Sequence, residues 1–146
     1  VPRGSIFDGV FAIFSKTITL AKYNITPYYS TLNDNIMLTW EEFEKTEMRV
    51  GTILETNDFP EARKPAYQLT IDFGSEIGIR KSSAQITKRY NKEDLVGRQV
   101  VAVVNFPKKQ IGKFMSECLV LGAVGQEGDV VLLAPDFNVE NGLRIG

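Results

Sequence analysis

The sequence predicts an all-β fold: one five-stranded barrel with short helices, one of them between the third and fourth strands. Three observations carry this. Tyr67, Leu69, Ile71 and Phe73 alternate with Gln68, Thr70 and Asp72, the period of a half-buried strand. The β-branched run Val100–Val104 has the composition of a central strand. Thr39 to Glu42 and Ser82 to Gln85 have the spacing of capping boxes, which open helices.

The elements follow in chain order. Val1-Pro2-Arg3-Gly4-Ser5 reads as the remnant of a thrombin-cleavable tag and is set aside. Residues 6–36 mix apolar and polar residues without clean periodicity. Two readings stay open for them. Either Met37 is the natural start and the extension is non-native upstream translation, or it is a genuine segment that packs on the domain or a partner. Residues 37–146 form the expected domain. Thr39 caps a short helix over 40–46. A strand over 48–57 follows, with Gly51 as a bulge or bend. After the strand from Tyr67 to Phe73, the glycine-first pair Gly74-Ser75 turns the chain in a two-residue hairpin. Ile77 and Ile79 then lie in the paired strand, which ends at Arg80 and Lys81. The box at Ser82 starts a helix of about two turns, reaching Tyr90. Asn91 to Gly97 is a turn region. Val100–Val104, Glu117–Val124 and Asp129–Leu133 are strands, with a turn at Gly125–Gly128 and a tail from Pro135. This order matches the oligonucleotide/oligosaccharide-binding (OB) fold, a partly open Greek-key barrel. A sandwich, with more strands and no inserted helix, fits less well.

Composition removes several function classes. A chain of 146 residues suits one domain with a real core. It has no histidine and one cysteine, Cys118, so a zinc site is not expected, nor any other metal or cofactor. The usual general base is missing too. Catalysis is not expected, because adjacent Lys81 and Ser82 are better explained by capping and anion binding. Cys118 lies in the apolar run Cys118-Leu119-Val120-Leu121 and reads as a small buried hydrophobe. Without a possible internal disulfide, the chain suits a reducing, cytoplasmic setting. No apolar stretch approaches the ~20 residues of a membrane helix.

The net charge is −1, but it is unevenly spread. Residues 76–113 hold nine basic residues against three acidic ones, a net +6. Residues 1–75 carry −3 and residues 114–146 carry −4. A cluster of this kind attracts phosphates and makes binding salt-dependent. Arg80 and Lys81 immediately precede the expected helix start, where open backbone N–H groups favour an anion beside the Ser82 and Ser83 hydroxyls. Lys88 and Arg89 lie two turns further on. Lys108, Lys109 and Lys113 fall in or beside a loop bounded by Pro107 and Gly112. Asn105 and Phe106 precede it, a base-edge hydrogen bonder and a possible stacking ring, although such a phenylalanine is more often core.

Several motifs in register now resemble one family. They are Glu44 to Ile53, Phe59 to Tyr67, Ile71-Asp72-Phe73-Gly74 and Ser82 to Thr87. Val103 to Pro107, Ser116-Glu117 and Gly128 to Leu133 continue the series. Together they resemble the tRNA-binding domain family, and within it the stand-alone CsaA-like members related to the C-terminal domain of methionyl-tRNA synthetase. The resemblance spans residues 39–146. It implies an OB-fold, a homodimer completed by the extra helical and C-terminal segments, and recognition of tRNA by shape at its outer corner. It also implies a second activity, an export-related chaperone that binds unfolded polypeptides in apolar pockets. Carried over position by position, it points to Ser82, Ser83, Gln85, Lys88, Arg89, Asn105, Lys108 and Lys109 as RNA-binding residues. Arg80, Lys81 and Lys113 join them on charge. Two positions depart from the family pattern. Pro107-Lys108-Lys109 has lysine where many relatives have arginine, which keeps charge but loses the bidentate fork. Cys118 stands where many relatives have glycine.

Overall fold

The structure is a computed structural model that describes residues 37–146; the tag remnant and the extension read from residues 1–36 lie outside the described residues. Helix α1 (Trp40–Glu44) occupies the place that the Thr39 spacing predicts. The strands then run β1 (Met48–Asp58), β2 (Tyr67–Asp72), β3 (Ile79–Ala84) and β4 (Gln99–Val103). They continue with β5 (Lys109–Ile111), β6 (Phe114–Ser116), β7 (Leu119–Val120), β8 (Gly122–Val124) and β9 (Val130–Leu132). β3, β2, β1, β4 and β7 make one antiparallel five-stranded sheet, in that order. Its two ends nearly meet, which gives the expected barrel. β5–β6 and β8–β9 are separate hairpins.

β1 is the hub. Its first half, Met48–Thr52, pairs with β4, and its second half, Thr52–Asp58, pairs with β2. The register shifts between Ile53 and Glu55, a bulge that bends the strand between its two partners. The sequence placed this irregularity at Gly51. That glycine serves a different need: a Cβ there would lie 2.7 Å from Ile71 Cγ2 and from the Phe73 ring. Ile53, Leu69, Ile71, Phe73, Leu95 and Val100 are fully buried inside. Each such side chain contributes roughly 1.5–3 kcal/mol of burial.

Two predicted elements between β2 and β4 are corrected. The chain between β2 and β3 is a helical turn, α2 (Gly74–Ile77), and not a two-residue hairpin. Asp72 Oδ1 accepts the Gly74 N–H at 2.9 Å and stabilises that turn, so Ile77 stays out of the strand. The helix expected from Ser82 is replaced by strand through Ala84. Ser82 sits opposite Leu69 and Ala84 opposite Tyr67, both facing the core. The Ser82 hydroxyl donates to the Cys118 carbonyl at 2.9 Å. Strand pairing plus burial outweighs a local cap. What remains between β3 and β4 is a turn at Ile86–Tyr90 and one 3₁₀ turn, Lys92–Asp94, which delivers Leu95 to the core.

The predicted strand Glu117–Val124 is broken at Leu121 into β7 and β8. Residues from Pro135, predicted as a tail, return as a strap along the first half of β1. There Val50 N–H donates to Leu143 O (2.9 Å), Gly142 N–H to Val50 O (2.7 Å) and Ile145 N–H to Met48 O (3.0 Å). Asn141 joins the strap to Thr52 and Asp72. Among the described residues, no helix is long and apolar enough to cross a membrane.

Candidate nucleic-acid interface

β3 sorts its residues by strand alternation. Ser82 and Ala84 point inward and are buried, while Lys81 and Ser83 point outward. Gln85 is exposed and continues the outward parity. Opposite them on β2 lie Thr70 and Gln68. The outer face of β2–β3 is therefore polar, with Lys81 as its cation. Arg80 shares the inward parity and is half-buried. Ser82 is completely buried, and its hydroxyl serves barrel closure.

The segment between β4 and β7 lies along the edge of β3. Lys108, Lys109 and Lys113 were expected in or beside an open loop. The chain forms the β5–β6 hairpin there instead, turning at Gly112, whose φ is 57°. Glu117 docks the base of this hairpin on β3. Its N–H donates to Lys81 O at 2.7 Å, and its Oε2 accepts the Lys81 N–H at 3.1 Å. Its Oε1 lies 2.8 Å from Lys108 Nζ. The Ser116 hydroxyl accepts the Ser83 N–H at 3.3 Å. The Lys108 ammonium, with the Lys81 N–H behind it, holds the Glu117 carboxyl below its ordinary range against the opposing effect of burial.

The far end of the hairpin meets the loop between β1 and β2. Phe59 is buried, and its ring packs on Phe114 at a centroid distance of 5.2 Å. Gly112 sits against the Glu61 Cβ. Arg63 and Lys64 of that loop are exposed, as is Lys113 at the hairpin turn. The sequence reading missed both residues, because they fall outside the basic 76–113 window. The available signal was a loop bounded by Pro60 and Pro65 between the first two strands, one of the loops OB-folds use for ligands.

Other predicted residues are engaged elsewhere. Lys88 Nζ donates to the Glu127 carbonyl, and Arg89 forms an ion pair with Asp129. Both therefore fasten the turn between β8 and β9. The Arg89 guanidinium holds the Asp129 carboxyl below its ordinary range. Asn105, read as a base-edge hydrogen bonder, has both ends of its amide engaged. Oδ1 accepts the Glu47 N–H at 3.0 Å, and Nδ2 donates to Lys45 O at 2.6 Å, which ties α1 to the sheet. Phe106 is 42% exposed rather than core. Of the wider basic set, Lys92 pairs with Asp58, and Arg98 lies over the Tyr90 ring at 5.2 Å.

A nearly closed five-stranded barrel with a polar β2–β3 face and lysine-bearing loops at its rim is an OB-type module built around one sheet face. The chain belongs to the family described as "Putative tRNA binding domain", whose profile matches residues 48–144. Among solved structures it is similar to the chaperone CsaA from Bacillus anthracis str. Ames, with 55% identity and a TM-score of 0.72. That match covers 75% of this chain and 99% of the other. CsaA from Picrophilus torridus matches at 53% identity and a TM-score of 0.71, covering 75% of this chain and 100% of that one. A methionine–tRNA ligase from Nitrosomonas eutropha is 39% identical over 105 residues, which cover 72% of this chain. The matched region spans only 15% of that ligase.

Proposed function

We propose that this chain binds tRNA through its shape, using the outer face of β2–β3, the 59–66 loop and the β5–β6 hairpin. The observation that carries the reading is the docking of the Lys108 hairpin onto β3 beside Lys81, in a member of the tRNA-binding domain family. Lys109 and Lys113 on the hairpin, and Arg63 and Lys64 on the loop, extend the positive rim. Such a surface attracts the phosphate backbone without reading bases. The protein acts as a non-catalytic binding module in the cytoplasm, and it needs no cofactor.

The binding unit is a homodimer. Trp40, Phe137 and Leu143 are 69%, 78% and 48% exposed. α1 and the strap adjoin through the Arg144 guanidinium, which donates to Glu44 O at 3.3 Å. A two-fold contact over this apolar surface covers it and doubles the basic rim. Size-exclusion chromatography checks this, and a clean monomer contradicts it.

A second reading, binding of unfolded polypeptide, draws on the same exposed apolar residues and on the chaperone names of the two similar structures. One titration separates the readings. Binding of tRNA is expected to weaken steeply between about 50 and 200 mM salt, whereas apolar peptide binding holds. Binding of an unfolded polypeptide with tRNA excluded at low salt overturns the tRNA reading.

A further inference from the structure

The RNA-binding reading above uses Glu117 only as the tie that docks the hairpin, yet its carboxylate lies between Lys81 and Lys108. The Glu117 side chain is 18% exposed and receives two donors. One is the Lys81 backbone N–H at 3.1 Å, and the other is the Lys108 ammonium, 2.8 Å away. Arg80, on the same strand as Lys81, adds its charge to the neighbourhood. A backbone N–H and an ammonium converging on one anion are the means by which proteins hold a phosphate. Here the anion is the protein's own. Ser116, one residue earlier, anchors the same segment through the Ser83 N–H. The carboxylate is therefore fixed to β3, while Lys108, 59% exposed, lies at the end of a flexible stem.

We propose that Glu117 is an internal substitute for an RNA phosphate, holding Lys108 against β3 in the free protein and yielding it to the RNA backbone on binding. It thereby sets the affinity of the face. This rests on the RNA-binding reading of the preceding subsection. The exchange requires no unfolding, because Glu117 keeps the Lys81 N–H when the lysine swings outward. The RNA phosphate gains the ammonium but loses the attraction that the carboxylate cancels, so the motif acts as a brake on affinity. A bound RNA is held less tightly than the number of lysines alone implies.

The test is tRNA binding by the full chain and by Glu117→Gln, measured as fluorescence anisotropy over a range of salt. The glutamine oxygen still accepts the Lys81 N–H, so the hairpin stays docked while the charge is lost. Binding is expected to tighten roughly fivefold, the scale of one exposed ion pair. The log–log salt slope stays about the same, because Lys108 meets one phosphate in both proteins. In a Lys108→Met background most of that gain disappears, because the two residues act as a pair. A folded Glu117→Gln variant that binds equally or more weakly overturns the proposal. The wild-type chain provides an independent readout if the variant does not fold. Saturating tRNA should move the titration of the Glu117 carboxyl carbon resonance to higher pH, since an ammonium is exchanged for a phosphate. An unmoved titration overturns the proposal as well. If the wild type shows no salt-dependent tRNA binding, the RNA-binding reading falls and this role with it. If the wild type binds and neither signature is seen, only the role of Glu117 falls.

Discussion

Single residues show where sequence logic held and where tertiary structure overruled it. Cys118 was legible as a buried hydrophobe, and it is 5% exposed. Burial pushes its thiol up to about 12 from an ordinary 9.0. Because the thiolate is the reactive form, native-state alkylation at pH 8 is expected to be far slower than in denaturant, as a thiol-reactive dye assay will show. Linkage gives a second outcome. The folded state keeps the proton that the unfolded state releases above about pH 9.0, so this thiol lowers stability as pH rises from there toward 12. A Cys118→Ala variant is expected to lose less stability over that interval in urea titrations. Ser82 was not legible. Its spacing to Gln85 fits a cap, and only the carbonyl of Cys118, 36 positions away, shows why the hydroxyl belongs inside a strand. Asn105 is similar, since a surface asparagine and a structural tie look alike until Glu47 and Lys45 are seen beside it.

At the scale of elements, alternation served well. The Tyr67–Asp72 strand and the β-branched run of β4 sit where their patterns place them, because side-chain period and burial are set by the same backbone geometry. The β5–β6 hairpin was read as a loop, since three-residue strands carry too little pattern to separate from one. Its docking brings Lys108 beside β3, and Phe59 on Phe114 ties it to the 59–66 loop, the two parts of the proposed basic rim. Charge reversal tests whether this rim works as a unit. Lys108→Glu with Lys109→Glu, and separately Arg63→Glu with Lys64→Glu, are each expected to weaken tRNA binding at least tenfold at low salt. Thermal melts of both variants should stay within a few degrees of the wild type, because these side chains lie on the surface. By contrast, a Phe59→Ala change removes a buried ring and is expected to cost about 3–5 kcal/mol in a denaturant titration.

At the scale of the whole molecule, the uneven charge was visible in the sequence, but its division was not. Lys108 is held beside β3 through Glu117, while Lys88, Arg89, Lys92 and Arg98 hold other parts of the domain together. The strap was invisible in the sequence because its bonds are made by backbone groups and by scattered polar side chains such as Asn141, Gln99 and Arg49, without hydrophobic periodicity. Gly142 makes it possible: its φ is 90°, and a Cβ there would lie 2.5 Å from Phe73 O. Gly142→Ala is expected to cost on the order of 1–3 kcal/mol, read from the urea midpoint. The bond from Arg49 to Gly142 O joins positions 93 apart in the chain. Contacts this distant in sequence form only after nearer ones have reduced the entropy of closing the loop. The strap therefore completes the domain last and lifts first, and in amide exchange the protons on Val50 and Gly142 should give way before that of Ile53, at the centre of the barrel.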